Sequence, residues 1–250
     1  MSGQSGSTDH GATASIRLFW VNLDETAKTV DDLENSLAPD ELRRASRLRE
    51  ARLRSRWMAA RRALRHLLGA ELDRAPGKVR LQTTERGKPY LEGGELAFNL
   101  SHSGPHLLIA LAPVGRVGVD VECIRPLPEL AGLVERHFTG AEAQAILSAA
   151  DLPEDDDTFP AFFRTWVRKE ALLKAVGLGV STPLDTFQVT TAPEPSHRTN
   201  LLLRNDLPGE GDVPWQVRSI PAPSGAVAAL AWDTPELTVV EGSLQMERSV

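Results

Sequence analysis

The chain has 250 residues, 41% of them hydrophobic and 25% charged, with a formal net charge of −6. That is enough apolar chain to core one large domain or two small ones, and the wrong overall sign for a general nucleic-acid binder. No apolar run reaches transmembrane length, the polar N-terminus lacks the core of a signal peptide, and the single cysteine, Cys123, excludes an internal disulfide and fits a reducing cytoplasm.

Residues 1–14 are rich in Gly and Ser and read as a disordered tail. Ile16 to Leu23 (IRLFWVNL) is β-branched and aromatic, the pattern of a first strand. Pro39 sits where a first-turn proline belongs and opens a helix through an arginine-rich stretch. Ten arginines lie between Glu41 and His66. Leu53, Trp57, Ala60, Leu64 and Leu67 recur at helical spacing, so this helix is expected to bury that stripe, solvate its arginines and stop at Gly69. The planar guanidinium fork also suits phosphate, which keeps a small polyanionic ligand in view.

Lys78 to Thr83 reads as a strand, followed by a Gly-Lys-Pro turn at 87–89. Strands at Leu96–Leu100 and Leu107–Ala112 flank Ser101-His102-Ser103-Gly104-Pro105, which reads as a loop. A Ser-His pair there suggests a nucleophile and base, but adjacent residues seldom face each other and no Gly-x-Ser-x-Gly elbow is present. Phosphate or ribose binding by hydroxyl, imidazole and backbone N–H groups suits the segment better. The remaining histidines show no ligand spacing, so no zinc site is expected.

Gly118-Val119-Asp120-Val121-Glu122 places two carboxylates on one face of a hydrophobic strand. Either the strand is an edge with one solvated face, or a cation sits between the carboxylates, and hard oxygen ligands suit Mg²⁺. Helices are expected at Leu127–His137, Gly140–Ala149 and Phe159–Val176, with an acidic loop at Asp151–Thr158 and a stop at Gly177 or Gly179. In the last helix Trp166, Glu170 and Lys174 share a face at i, i+4, i+8. That face is either an exposed Glu–Lys pair or, given the tryptophan, one that looks inward and adds a third carboxylate. Strand-like segments follow near 187–190, 201–203, 215–218 and 226–232. Strands and helices in mixed order, without regular βα alternation, indicate an α+β protein.

Gly87-Lys88-Pro89, FNLSHSG at 98–104, GVDVE at 118–122 and WVRKEALLK at 166–174, in this order and spacing, resemble the 4′-phosphopantetheinyl transferases of the long, monomeric type. The resemblance runs from about Ile16 to about Trp232. It implies a pseudo-dimer of two similar α+β subdomains, 15–116 and 117–250, with the active site in the cleft between them. It further implies a cytoplasmic monomer that moves the phosphopantetheine arm of coenzyme A (CoA) to an apo acyl or peptidyl carrier protein. The family's Mg²⁺ ligands fall on Asp120, Glu122 and Glu170. Its CoA contacts fall on Lys174, Lys88, Ser101 and His102, and a basic grip on CoA phosphates falls on Arg49, Arg52 and Arg56. Glu170 and Lys174 carry the catalytic roles. The helices near Phe138 and Phe162-Phe163 are candidates for the carrier surface. Two rival readings use the same residues: a Mg²⁺-dependent phosphohydrolase and a non-catalytic CoA- or carrier-binding module. The first leaves FNLSHSG unexplained, and the intact carboxylates and Lys174 weigh against the second.

Overall fold

The structure, a computed structural model, describes residues 14–28, 36–149, 158–179, 182–193 and 200–242. The N-terminal tail up to residue 13 and nearly all of the acidic 151–158 loop lie outside the described residues. The elements in order are β1 (Ser15–Asn22), α1 (Leu23–Lys28), α2 (Pro39–Ser46), α3 (Ala51–Glu71), β2 (Leu81–Thr83), β3 (Pro89–Leu91), β4 (Ala97–Ser103), β5 (His106–Ala112) and β6 (Val117–Cys123). There follow α4 (Leu130–His137), α5 (Gly140–Ser148), α6 (Thr158–Val176), β7 (Phe187–Val189), β8 (Leu202–Asn205), β9 (Gln216–Ile220), β10 (Ala226–Trp232) and β11 (Thr238–Glu241). This is the α+β architecture expected. Among the described residues no helix is long and apolar enough to cross a membrane.

One sheet has the order β11-β1-β5-β4, the second β6-β10-β9, and β2-β3 and β7-β8 form separate hairpins. β5 alternates Leu107, Ile109 and Leu111 on one face with Leu108, Ala110 and Ala112 on the other. The period of two therefore sorts one strand into two cores. Its first face packs with Phe19, Val21 and Phe98 beneath Ala59, Ala63, Leu64 and Leu67 of α3. Its second face joins Ile16 and Leu18 to Val119 and Val121 of β6 and Leu230 and Trp232 of β10. The two sheets thus fold over a shared interior with α3 outside one and α6 outside the other. α6 buries Val167, Ala171, Leu172 and Ala175 against Trp215, Val217, Ala229 and Ala231. Gly177, at φ +84°, ends that helix as expected.

β4 and β6 lie side by side, bridged by side chains: Asn99 Oδ1 accepts the Val119 N–H at 3.0 Å and Ser103 Oγ accepts the Cys123 N–H at 3.1 Å. β6 therefore ends its own hydrogen-bonded sheet, but β4 covers that edge and the acidic face is not a solvated one. Its valines enter the shared interior, and Gly118, Asp120 and Glu122 turn toward α6. A Cβ on Gly118 would run into the Ala171 carbonyl and the Ala175 backbone. Gly118→Ala is accordingly expected to cost about 2–3 kcal/mol in urea unfolding, because both colliding groups are backbone and neither can yield. A midpoint unchanged from wild type would show that β6 and α6 have slack.

Several expectations need correction. The arginine-rich stretch forms two helices, α2 and α3, with a break at 47–50. Glu41 caps its own helix at the Ala38 N–H (2.9 Å), and the break turns α2 back so that the same side chain meets Arg65 of α3 at 2.6 Å. Leu53 is exposed and continuous burial begins at Ala59, since the first two turns of α3 stand clear of the sheet. α3 passes Gly69 and ends at Glu71. Arg62 and Arg65 are buried rather than solvated, and Arg65 also donates to the carbonyls of Pro76 and Val79. Ser101, His102 and Ser103 belong to β4 itself, so they form a strand face and not a loop. The strand expected from Lys78 begins only at Leu81, after a 3₁₀ turn at Pro76–Lys78. α1, β3 and β11 gave no sequence signal that was recognised. β11 pairs parallel with β1, returning the end of the described chain to the first sheet.

Candidate active site

The site lies where β4, β6 and α6 meet. Apart from its two ends, α6 is buried on every side but one, and Trp166, Glu170 and Lys174 belong to the partly exposed strip. The helical spacing therefore marks the wall of a cleft, neither a free surface nor core. Arg168 and Lys169, between them, point the other way and are fully buried. Lys169 meets Glu142 at 2.9 Å and donates to the carbonyls of Leu184 and Phe187, which fixes α6 to α5 and to the chain entering β7.

Asp120 is 4% exposed. Its Oδ1 receives Lys174 Nζ at 2.5 Å and Ser101 Oγ at 2.7 Å, and Lys174 also donates to Ser101 Oγ at 2.9 Å. Its Oδ2 is buried without any hydrogen-bond partner. A bare carboxylate oxygen in a protein interior costs roughly 1–3 kcal/mol or more unless something cationic meets it. Glu122 is half-buried, and its Oε2 takes Ser103 Oγ at 2.8 Å and Arg125 at 3.3 Å. Burial pushes the Glu170 carboxyl above the usual carboxylate range, Asp120 adds to the shift, and Lys174 opposes it. The three carboxylates thus share one electrostatic neighbourhood. They do not converge: among the described residues no three His, Cys, Asp or Glu side chains are grouped to hold a metal ion. The donor set is hard oxygen, as a divalent cation prefers, and the orphaned Asp120 Oδ2 fits one.

Lys88 Nζ donates to the carbonyl of Ala175 at 2.8 Å and to that of Val117 at 3.4 Å, so it caps the C-terminal end of α6. Burial, reinforced by Arg116, lowers its pKa to about 8. Lys88, Lys174, Arg86, Asn99, Leu173 and Gly177 line a cleft of about 220 Å³. Ser101 is turned into the protein, onto Asp120. His102 has its outer edge in solvent, and partial burial and then Lys174 lower its pKa, with a smaller contribution from Arg61.

Arg56 grips Asp24 with two bonds at 2.6 and 2.7 Å and Arg52 reaches the same carboxylate at 2.9 Å; these hold the Asp24 carboxyl well below its usual range. Arg49 is exposed on the link between α2 and α3. Sequence reasoning overlooked a separate pocket of about 390 Å³, lined by Arg44, Trp57, Arg61 and Arg65, by Asp40, Glu41 and Glu92, and by Thr83 and Pro89 of the β2–β3 hairpin. Arg44 and Arg61 both lie over the Trp57 ring, at 5.7 and 5.4 Å. The clue was available, since Trp57 and Arg61 are i, i+4 on one helix. Phe138, Phe162 and Phe163, candidates for a carrier surface, are buried in an aromatic core with Val134 and Ile146. Cys123 is free.

Fold and cleft together define an α+β protein that sets carboxylates and a lysine at the junction of β4, β6 and α6. Residues 116–231 match the model of the 4′-phosphopantetheinyl transferase superfamily. The chain is 37% identical over 192 residues to the 4′-phosphopantetheinyl transferase HetI of Nostoc sp., covering 71% of this chain and 79% of the relative. It is 33% identical over 217 residues to slr0495 of Synechocystis sp., named as a candidate transferase of the same kind, covering 83% of each. It is 30% identical over 169 residues to the human L-aminoadipate-semialdehyde dehydrogenase-phosphopantetheinyl transferase, covering 63% of this chain and 54% of that one. The chain belongs to the 4′-phosphopantetheinyl transferase superfamily and is a transferase of that kind.

Proposed function

We propose that the protein transfers the 4′-phosphopantetheine arm of CoA to a serine of an apo acyl or peptidyl carrier protein, releasing 3′,5′-ADP, as a Mg²⁺-dependent cytoplasmic monomer. The observation that carries this reading is the bare, buried Asp120 Oδ2 in a cleft whose facing wall presents Glu170 and Lys174. Asp120, Glu122 and Glu170 are the residues that would hold the cation. When bound, Mg²⁺ supplies charge neutralisation at the CoA pyrophosphate.

The remaining work falls to side chains. Lys174, which spends two of its three N–H donors on Asp120 Oδ1 and Ser101 Oγ, turns the third to the phosphate that will leave. Glu170 takes the proton from the carrier serine hydroxyl. The serine oxygen bonds to the phosphorus that bears the arm, the phosphorus–oxygen bond to 3′,5′-ADP breaks, and Lys174 and Lys88 balance the charge on the leaving group. Such catalysis is positioning and electrostatics. His102, Arg44 and Arg61 are suited to the phosphate on the adenosine, with the Trp57 pocket beside them. Arg49, Arg52 and Arg56, outside that pocket, contribute to the positive field that draws CoA in. In this reading 15–116 grips CoA and 117–250 carries the carboxylates, with the cleft between them.

Chromatography of the nucleotide products tests the assignment. Transfer predicts that 3′,5′-ADP appears only when an apo carrier is present. Release without carrier would indicate a hydrolase, and unchanged CoA in both mixtures a binding module.

Lys88 gives the cleft a pH limit. With a pKa of about 8 in the free protein it loses its charge above that pH. The KM for CoA is therefore expected to rise above pH 8, by up to about tenfold at pH 9, as the charged fraction falls. Lys88→Arg should remove this rise. A wild-type KM that stays flat through pH 9 would take Lys88 out of CoA binding.

A further inference from the structure

Two serines on β4 treat the two carboxylates of β6 in the same way. Lys174 Nζ can only donate, so Ser101 Oγ accepts from it at 2.9 Å and must turn its own proton onto Asp120 Oδ1 at 2.7 Å. The Cys123 backbone N–H can likewise only donate. Ser103 Oγ accepts from it at 3.1 Å and turns its proton onto Glu122 Oε2 at 2.8 Å. Each hydroxyl is thereby fixed as a donor to a carboxylate by a partner that cannot be reversed. The period of the strand does the rest: residues 101 and 103 share a face of β4, as 120 and 122 share a face of β6.

The outcome is one satisfied oxygen and one available oxygen on each carboxylate. Asp120 Oδ1 takes two donors and Oδ2 takes none. Glu122 Oε2 takes Ser103 and Arg125, and among the described residues no hydrogen bond is seen to Oε1. A carboxylate oxygen whose two lone-pair directions are both taken by donors is a poor further ligand, which favours coordination of a cation through the other oxygen. That matters for the choice of ion. Mg²⁺ holds to six ligands in octahedral geometry, whereas Ca²⁺ accommodates six to eight and readily takes both oxygens of one carboxylate.

We infer that Ser103 is a positioning residue which makes Glu122 a one-oxygen ligand, and that it thereby biases the site toward Mg²⁺ and against Ca²⁺. This rests on the reading that Asp120 and Glu122 hold a divalent cation. Ser103 is partly exposed, and threonine and valine form a near-isosteric pair that differs in the hydroxyl.

The test is calorimetric titration of Mg²⁺ and, separately, Ca²⁺ into wild type, Ser103→Thr, Ser103→Val and Asp120→Ala, without substrate, with thermal melts to confirm folding. Wild type and Ser103→Thr should bind Mg²⁺ equally well and with equal preference over Ca²⁺. Ser103→Val should lose roughly 10-fold or more in Mg²⁺ affinity, as removal of a group that orients a metal ligand commonly does, and lose less for Ca²⁺. Equal affinities in the Thr and Val variants, or an equal loss for both ions in Ser103→Val, would overturn the role of Ser103 while leaving the cation site standing. Cation binding that survives Asp120→Ala would overturn the site itself, and the inference with it.

Discussion

Asp120→Ala should abolish cation-dependent transfer, lowering turnover by about 10³ or more, while the protein melts within a few degrees of wild type. The loss follows from position. Asp120 is the one carboxylate of the site that is almost wholly buried, and its Oδ2 has no other partner. On the proposed reading, removing it removes the anchor for a group worth several kcal/mol of transition-state stabilisation, each 1.36 kcal/mol being tenfold in rate. The fold should tolerate the change, although cutting one member of a buried ion pair is normally costly. Lys174, the partner left behind, keeps 30% of its side chain exposed and can turn to water. The variant also relieves the protein of an orphaned oxygen. Activity assayed beside circular-dichroism melts checks both halves. A folded, active variant would remove Asp120 from the mechanism, and an unfolded one would mean that Asp120 serves the core.

Glu170→Gln should keep the fold and lose about 10² to 10⁴ in kcat, the usual worth of a positioned general base. The substitution is isosteric, and Glu170 is only partly buried, with burial and the neighbouring Asp120 already disfavouring its charge. Neutralising it therefore costs the structure little. In the proposed mechanism it takes away the acceptor of the serine proton and one of three ligands, so the assay belongs at saturating Mg²⁺, where weakened cation binding no longer limits the rate. Near-normal kcat under that condition would assign the proton to another acceptor.

What the sequence disclosed and what it withheld divide along physical lines. The period of two put Asp120 and Glu122 on one face of β6, and the period of 3.6 aligned Trp166, Glu170 and Lys174. Both patterns are local and both hold in the structure. The ambiguity over β6 could not be settled locally, because its coverage comes from β4, twenty residues away, and from α6, fifty residues away. Gly104 and Pro105 give Ser103 the sequence pattern of a loop; on a strand its equivalence to Ser101 is evident. The arginines were harder. Ten of them look alike in sequence, and only tertiary contacts separate Arg65, buried on Glu41, and Arg56, clasped by Asp24, from Arg44 and Arg61 around Trp57. β11 was missed because its four residues gain a partner only when the chain returns to β1.

Intact-mass measurement of an apo carrier protein after incubation with CoA, Mg²⁺ and this protein tests the central claim most directly. The account predicts that the carrier gains the mass of one phosphopantetheine arm with wild type, and gains none when Mg²⁺ is chelated or Asp120→Ala is used. A carrier left unmodified by wild type, or modified equally well by the variant, would contradict it.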